Sequence, residues 1–254
     1  MKYYYLTDES EKSLAPFFSQ RLLSAGLVGV AIVGAFLIIF WPRQPLSDIM
    51  VAGKEPTVFF VVCAVAMIMH AYINLGCGAG DMVRKGDPMI NYTSDHPTYE
   101  RQIDFYRYGL IEFLLHALVL LLPFLPLMAL AALISAISWT TFLMALSILY
   151  SASLLCRMSG FMVYLFWGRS STLGYFSARA MMLFFVFITI LFAPSVNPLY
   201  LLYLLNQSID GTAYPFAFYM TIVTSAVVLL ILANSALVRR HMNKSEVQGS
   251  GFKV

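Results

Sequence analysis

Three ionisable side chains fall inside apolar stretches of this sequence, and chemistry could begin there: His70, Glu112 and His116. Glu112 and His116 are four residues apart, so on a helix they share a face. An ionisable group inside hydrocarbon is costly and ordinarily faces protein or a water-filled path. Two readings suit the trio. Neutral imidazoles on facing helices have the donor chemistry to ligate a haem iron. Alternatively, the three form a polar cluster that hydrogen-bonds helices together or lines a pathway. Counted from the inner helix ends, the two histidines sit at comparable depth, about 10–15 Å at about 1.5 Å per residue.

Other residue types offer less. Cys63, Cys77 and Cys156 include no CxxC pair and read as small packing residues. The run Gly76-Cys77-Gly78-Ala79-Gly80 is glycine-rich, but the chain holds no GxxxxGK[ST] loop to cradle phosphate. Asp81, Asp87, Asp95, Glu100 and Asp104 read as solvated loop charges. These patterns predict no catalytic set, no metal cluster and no enzyme activity in this chain.

The elements that must position these residues are membrane spans. Hydrophobic residues make up 60% of the 254 and charged ones 11%, less than half the share usual in a soluble domain. A span needs about 20 mostly apolar residues. Six stretches qualify, over 22–42, 57–77, 107–130, 133–156, 178–196 and 215–238. The expected fold is all-α: a single transmembrane domain over 1–254 with six transmembrane helices. Asp8, Glu9 and Glu11 precede the first stretch, and Phe40-Trp41-Pro42-Arg43 closes it, which is not the pattern of a cleaved signal.

The basic residues sort by side. Lys2, Lys12 and Arg21 precede span one; Arg84, Lys85, Arg101 and Arg107 follow span two. Arg157, Arg169 and Arg179 follow span four; Arg239, Arg240, Lys244 and Lys253 follow span six. Only Arg43 and Lys54 lie on the other set of loops. This bias predicts both termini in the cytoplasm. The modest net charge of +3 is accounted for by these loops and gives no reason to expect nucleic acid.

Between the spans, three segments stand out. Thr7-Asp8-Glu9-Ser10 reads as a helix start, and Leu14, Phe17 and Phe18 share one face, so 7–21 is expected to be an interfacial helix on membrane lipid. The loop 78–106 is polar, and a second helix starts at Ser94-Asp95-His96-Pro97. Between spans five and six, Asn197-Pro198 leads into Leu199-Tyr200-Leu201-Leu202-Tyr203-Leu204-Leu205-Asn206. That stretch is too short to span and too apolar for a free loop, so 197–214 is expected to be an outer re-entrant or interfacial segment.

In this layout the chain resembles the permease subunit of an ABC exporter of the ABC type-2 family. The likeness rests on Gly80-Asp81-Met82-Val83-Arg84-Lys85-Gly86-Asp87, on Pro97 through Arg107, and on Asn197-Pro198-Leu199 through Asn206. It covers nearly the whole chain, by layout rather than by a specific motif. The lead-in Tyr99–Arg107 is more polar than is usual in that family. The resemblance implies a plasma (inner) membrane protein whose 78–106 loop docks on a separate cytoplasmic ATP-binding subunit. Asp81, Arg84, Lys85, Asp87, Glu100 and Arg101 would then be the coupling residues. ATP and magnesium would belong to that partner, and this chain would carry no cofactor. A second permease copy or a paralogue would complete the pathway. His70, Glu112 and His116 would be intramembrane polar residues, and Asn197, Pro198, Tyr200 and Tyr203 would belong to the outer re-entrant segment. With so few charges in the spans, the expected substrate is lipid-like, a glycan or a hydrophobic peptide. The alternative is a haem-binding membrane anchor of a respiratory oxidoreductase, with His70 and His116 as ligands.

Overall fold

The computed structural model describes residues 20–42, 56–79, 110–167, 172–207 and 213–250. The side chains of 20, 21, 56, 112 and 241–250 are outside that description. The expected interfacial helix (7–21) and the coupling loop with Asp81, Arg84, Lys85, Asp87, Glu100 and Arg101 therefore lie outside the described residues, apart from Gln20 and Arg21 at the start of span one.

The protein is an all-α polytopic membrane protein with six helices long and apolar enough to cross a bilayer. Span one is Gln20–Ile39 and span two Pro56–Gly78. Span three is broken: Leu110–Val119, a 3-10 turn at Leu122–Phe124, then Leu125–Ile134. Pro123 and Pro126 cause the break, since neither can donate a backbone hydrogen bond. Leu121 and Phe124 instead donate to the carbonyls three residues back. Span four is Trp139–Trp167. Span five joins Thr172–Leu183, a π-helical stretch at Phe184–Ile188, and Thr189–Phe192. Span six is Ala213–Ser250, with its apolar stretch running to Val238 before Arg239 and Arg240.

The limits of spans four and five move away from the sequence reading. Span four begins at Trp139 rather than 133 and runs to Trp167 rather than 156. The earlier limit took Arg157 as a loop charge; it is instead inside the helix and 2% exposed. Span five begins at Thr172 rather than 178, which brings Arg179 into its second turn. Arg179 is tolerated there because its guanidinium lies 3.7 Å from the Tyr175 ring centroid and 5.6 Å from that of Tyr72. The basic residues thus sort by side less completely than counting loops suggested.

Span two and span four form the centre. Of span two's apolar stretch 67% is buried, against 17% for spans five and six, which present their side chains outward. The two central helices run parallel in one register. Phe59 meets Phe142, His70 meets Ser153, Asn74 meets Arg157, and Gly78 lies against Phe161. Each partner is 83 positions further along the chain. Span six follows the same direction, since Met220 meets Ser151 and Asn234 meets Met158. The even-numbered spans therefore cross the layer the same way.

Contacts also fix which connections share an end. The Phe59 N–H, one of the unpaired donors of span two's first turn, is capped by Ser135 Oγ at 3.2 Å. The Phe60 ring meets Tyr203 of the short helix Pro198–Asn206 edge-on at 6.0 Å. The start of span two, the turn between spans three and four, and the short helix thus lie together at one end.

Candidate functional site

At the other end, the halves of spans two, three and four that lie away from Ser135 close around a polar clamp. It is built up span four in steps of about one turn. Ser153 Oγ and His70 Nδ1 are 2.7 Å apart. His70 Nε2 meets the Ala117 carbonyl of span three at 2.9 Å. A carbonyl can only accept, so Nε2 carries the proton, and in neutral His70 Nδ1 accepts a hydrogen bond from the Ser153 hydroxyl. One turn on, Arg157 Nη1 donates to Asn74 Oδ1 at 3.0 Å. Its Nη2 lies 2.7 Å from His116 Nδ1. Guanidinium has no acceptor, so His116 Nδ1 must be unprotonated. The Arg157 carbon sits 4.2 Å from the centroid of Phe113, one turn before His116. Asn74 is itself held, because its Nδ2 donates to the His70 carbonyl at 2.9 Å.

All these side chains are buried: His70, Asn74 and Ser153 are 0% exposed and His116 3%. Arg157 Nε has no hydrogen-bond partner among the described residues. A buried cation is expensive, and here two directed hydrogen bonds and an aromatic face offset part of that cost.

One further turn along, the backbones themselves meet. A Cβ on Gly78 would collide with the Arg157 carbonyl oxygen, and one on Gly160 would lie 2.5 Å from the Leu75 carbonyl oxygen. Neither obstacle is a side-chain tip that could swing away. The two glycines let spans two and four touch, and that contact brings Arg157 within reach of Asn74.

The sequence-predicted residues divide accordingly. His70 and His116 are brought into one cluster, through Arg157, Ser153 and the Ala117 carbonyl. Glu112 is in the helix beside them, with its side chain outside the described residues. Haem ligation by His70 would require breaking one of its two ring hydrogen bonds. The Ser153–His70 pair has the spacing of a nucleophile and its base, but Ser153 is fully buried and the neighbouring Asn74 is committed to His70 O and Arg157. Asn74, Ser153, Arg157 and Gly160 were missed by sequence reasoning. The eleven mostly apolar residues between Arg157 and Arg169 read in the sequence as a helix protruding beyond the span or bending along the interface, which leaves Arg157 at the span's edge. The three cysteines are buried free thiols, as a packing role requires.

At the opposite end, Asn197 closes span five. Its Oδ1 accepts from Tyr200 N at 2.9 Å and so caps the Pro198–Asn206 helix. Its Nδ2 donates to Val186 O at 2.9 Å and to Thr189 Oγ1 at 2.7 Å. Val186 lies in the π-helical stretch, where the hydrogen-bond ladder is locally re-routed. Pro198, Leu201, Leu202 and Leu205 are buried, Tyr200 is half-buried, and Tyr203 is 46% exposed. The helix is thus amphipathic, with one face packed on spans two, four and six.

No protein-family model matches this chain, and no curated protein or solved structure does either.

Proposed function

We propose that this chain is the membrane permease subunit of an ATP-driven transporter of the ABC type-2 kind. The observation that carries the reading is the nine-residue helix Pro198–Asn206 between spans five and six, packed against the central spans at the end opposite the polar clamp. A short apolar helix seated among spans, without crossing, suits the mouth of a pathway. The six alternating spans and the long segment between spans two and three support the same reading. In it, both termini are cytoplasmic and the membrane is the plasma (inner) membrane. A separate cytoplasmic subunit hydrolyses ATP, and its closure moves the segment 78–106. A second permease copy or a paralogue encloses the path. The cargo is lipid-like, a glycan or a hydrophobic peptide.

Charge reversal of Arg84 and Lys85 tests the coupling. The expected result is loss of co-purification with the ATPase, with membrane insertion unchanged. Undiminished assembly and transport would remove the segment from the coupling role. Orientation is tested by single cysteines labelled from outside. Those at Ser47 and Asp210 should react, and those at Asp95 and Ser245 should not. An outside-reactive cysteine at position 95 would invert the topology and defeat the proposal.

A further inference from the structure

The segment between spans two and three has two stems, and one side chain from span four holds both. The first stem is the end of span two, where Arg157 Nη1 reaches Asn74, four residues before Gly78. The second is the start of span three, where Arg157 Nη2 reaches His116 and the guanidinium lies on Phe113. Phe113 also packs on Phe161 of span four, with ring centroids 5.7 Å apart. The first stem is fixed again by the Gly78–Gly160 backbone contact. Hence neither stem can shift along span four without breaking a buried hydrogen bond in a setting where water cannot replace it.

We propose that Arg157 is a positioning residue that pins both stems of the 80–109 segment to span four. Displacement of the segment then moves the clamp halves of spans two, three and four as one body. The ladder at a constant 83-residue offset makes the other half of span four follow, because Phe59 and Phe142 share the register of Asn74 and Arg157. The short helix at the far end rests on the same two spans. The fork of the guanidinium matters here. A lysine at this position has its donors on a single nitrogen and does not reproduce the two separate nitrogens, Nη1 and Nη2, that reach the two stems. Only the source of the displacement, an ATPase, rests on the permease reading; the pinning does not.

The test uses the full chain in nanodiscs with pairs of spin labels on introduced cysteines. The three native cysteines are buried and so do not compete for label. Pairs at Tyr72 and Phe166, and at Ile111 and Phe166, report the two stems against span four. A pair at Thr57 and Trp139 is the control at the other end. All five positions are exposed in the fold. With Arg157 present, each pair should give one narrow distance distribution. Arg157→Gln should lose the narrow peak in both stem pairs and keep it in the control. Asn74→Ala should broaden only the Tyr72 pair, and His116→Ala only the Ile111 pair, which carries the test if Arg157→Gln fails to fold. Stem pairs that stay narrow in Arg157→Gln would overturn the pinning. So would broadening of both stem pairs in each single-stem variant. If the distances behave as expected while reversal of Arg84 and Lys85 leaves ATPase association intact, the coupling role of the segment fails and the pinning stands.

Discussion

The two ends of this molecule solve the same problem with different polar chemistry. At the clamp end, Arg157, Asn74, His116, His70 and Ser153 join residues at least 41 positions apart, apart from the Asn74–His70 contact. At the short-helix end, Asn197 joins Val186, Thr189 and Tyr200, all within 11 positions. The clamp includes a charge and fixes how spans pack. The Asn197 set is neutral and fixes how one span ends. In hydrocarbon an unpaired backbone or side-chain polar group costs more than in water. A local asparagine is enough to repair a local irregularity. Holding three separate helices takes a side chain with a long reach and several donors.

One way to break the clamp end is to push its backbones apart. Gly78→Ala and Gly160→Ala each put a methyl against main chain that cannot rotate away. Overpacking of this kind costs about 1–3 kcal/mol, and here it should also draw Arg157 off Asn74. Gly26→Ala is the matched control, since a Cβ there meets nothing within 4 Å. Reversible unfolding in mixed micelles, followed by tryptophan emission, should show the first two variants well below wild type and Gly26→Ala level with it. If all three behave alike, the close crossing carries no weight.

A second perturbation separates charge from hydrogen bonding. Arg157→Met removes the cation and leaves two acceptors unmet, a loss of about 1–3 kcal/mol. Asn74→Ala with His116→Ala leaves the cation buried without its hydrogen bonds, which should cost about 3 kcal/mol or more. Adding Arg157→Met to that double variant should then restore stability. A triple variant less stable than the double would mean that Arg157 contributes through packing alone.

This difference between the ends also explains what could be read from the sequence. The six spans were legible because bilayer thickness fixes their length, and the short helix was legible because nine mostly apolar residues are too few to span. Asn197 was placed in the segment between spans five and six, but its cap on Tyr200 N was not read there. Asn74 and Arg157 were not legible either. No periodicity within span two or span four reveals that the helices align at an offset of 83. Arg157 was therefore given the ordinary meaning of a basic residue, the edge of a membrane span. Gly160 was silent for the same reason, since a small residue shows its use only when the opposing backbone is known. His70 and His116 were recognised as a pair, but the residue that joins them was assigned to a loop.

The short-helix end should yield a smaller effect. Asn197→Ala loses the helix cap and leaves Val186 O and Thr189 Oγ1 without their donor. The expected loss is about 1 kcal/mol, in the range of other N-caps. Asn197→Ser keeps a capping oxygen for Tyr200 N without burying a charge and gives up the amide donor, so it isolates the tie to the π-helical stretch. The same unfolding measurement should rank Ser between wild type and Ala. Equal loss in both variants would assign the whole effect to the donated bonds and none to the cap.

The smallest effect should be a gain. Ala136 has φ 50°, the left-handed region, in the turn between spans three and four. The turn closes the helix Leu125–Ile134 with Ile137 N donating to Ala132 O at 2.9 Å and Ala136 N donating to Leu133 O at 3.2 Å. Glycine is the usual residue at such a position, because a Cβ there crowds the following carbonyl. Ala136 is exposed, so its methyl has little packing to lose. Ala136→Gly should relieve about 1–2 kcal/mol of backbone strain and lose about 0.5–1 kcal/mol to unfolded-state entropy. The net should be a stabilisation of under about 1 kcal/mol, read as a small upward shift of the same unfolding midpoint. Ala136→Val should shift it down, since β-branching adds crowding at this φ. The turn carries Ser135, whose hydroxyl caps Phe59 N, so a correct turn geometry also serves the start of span two. A destabilised Ala136→Gly variant would mean that the methyl group helps hold that geometry, and that the left-handed alanine is not a source of strain.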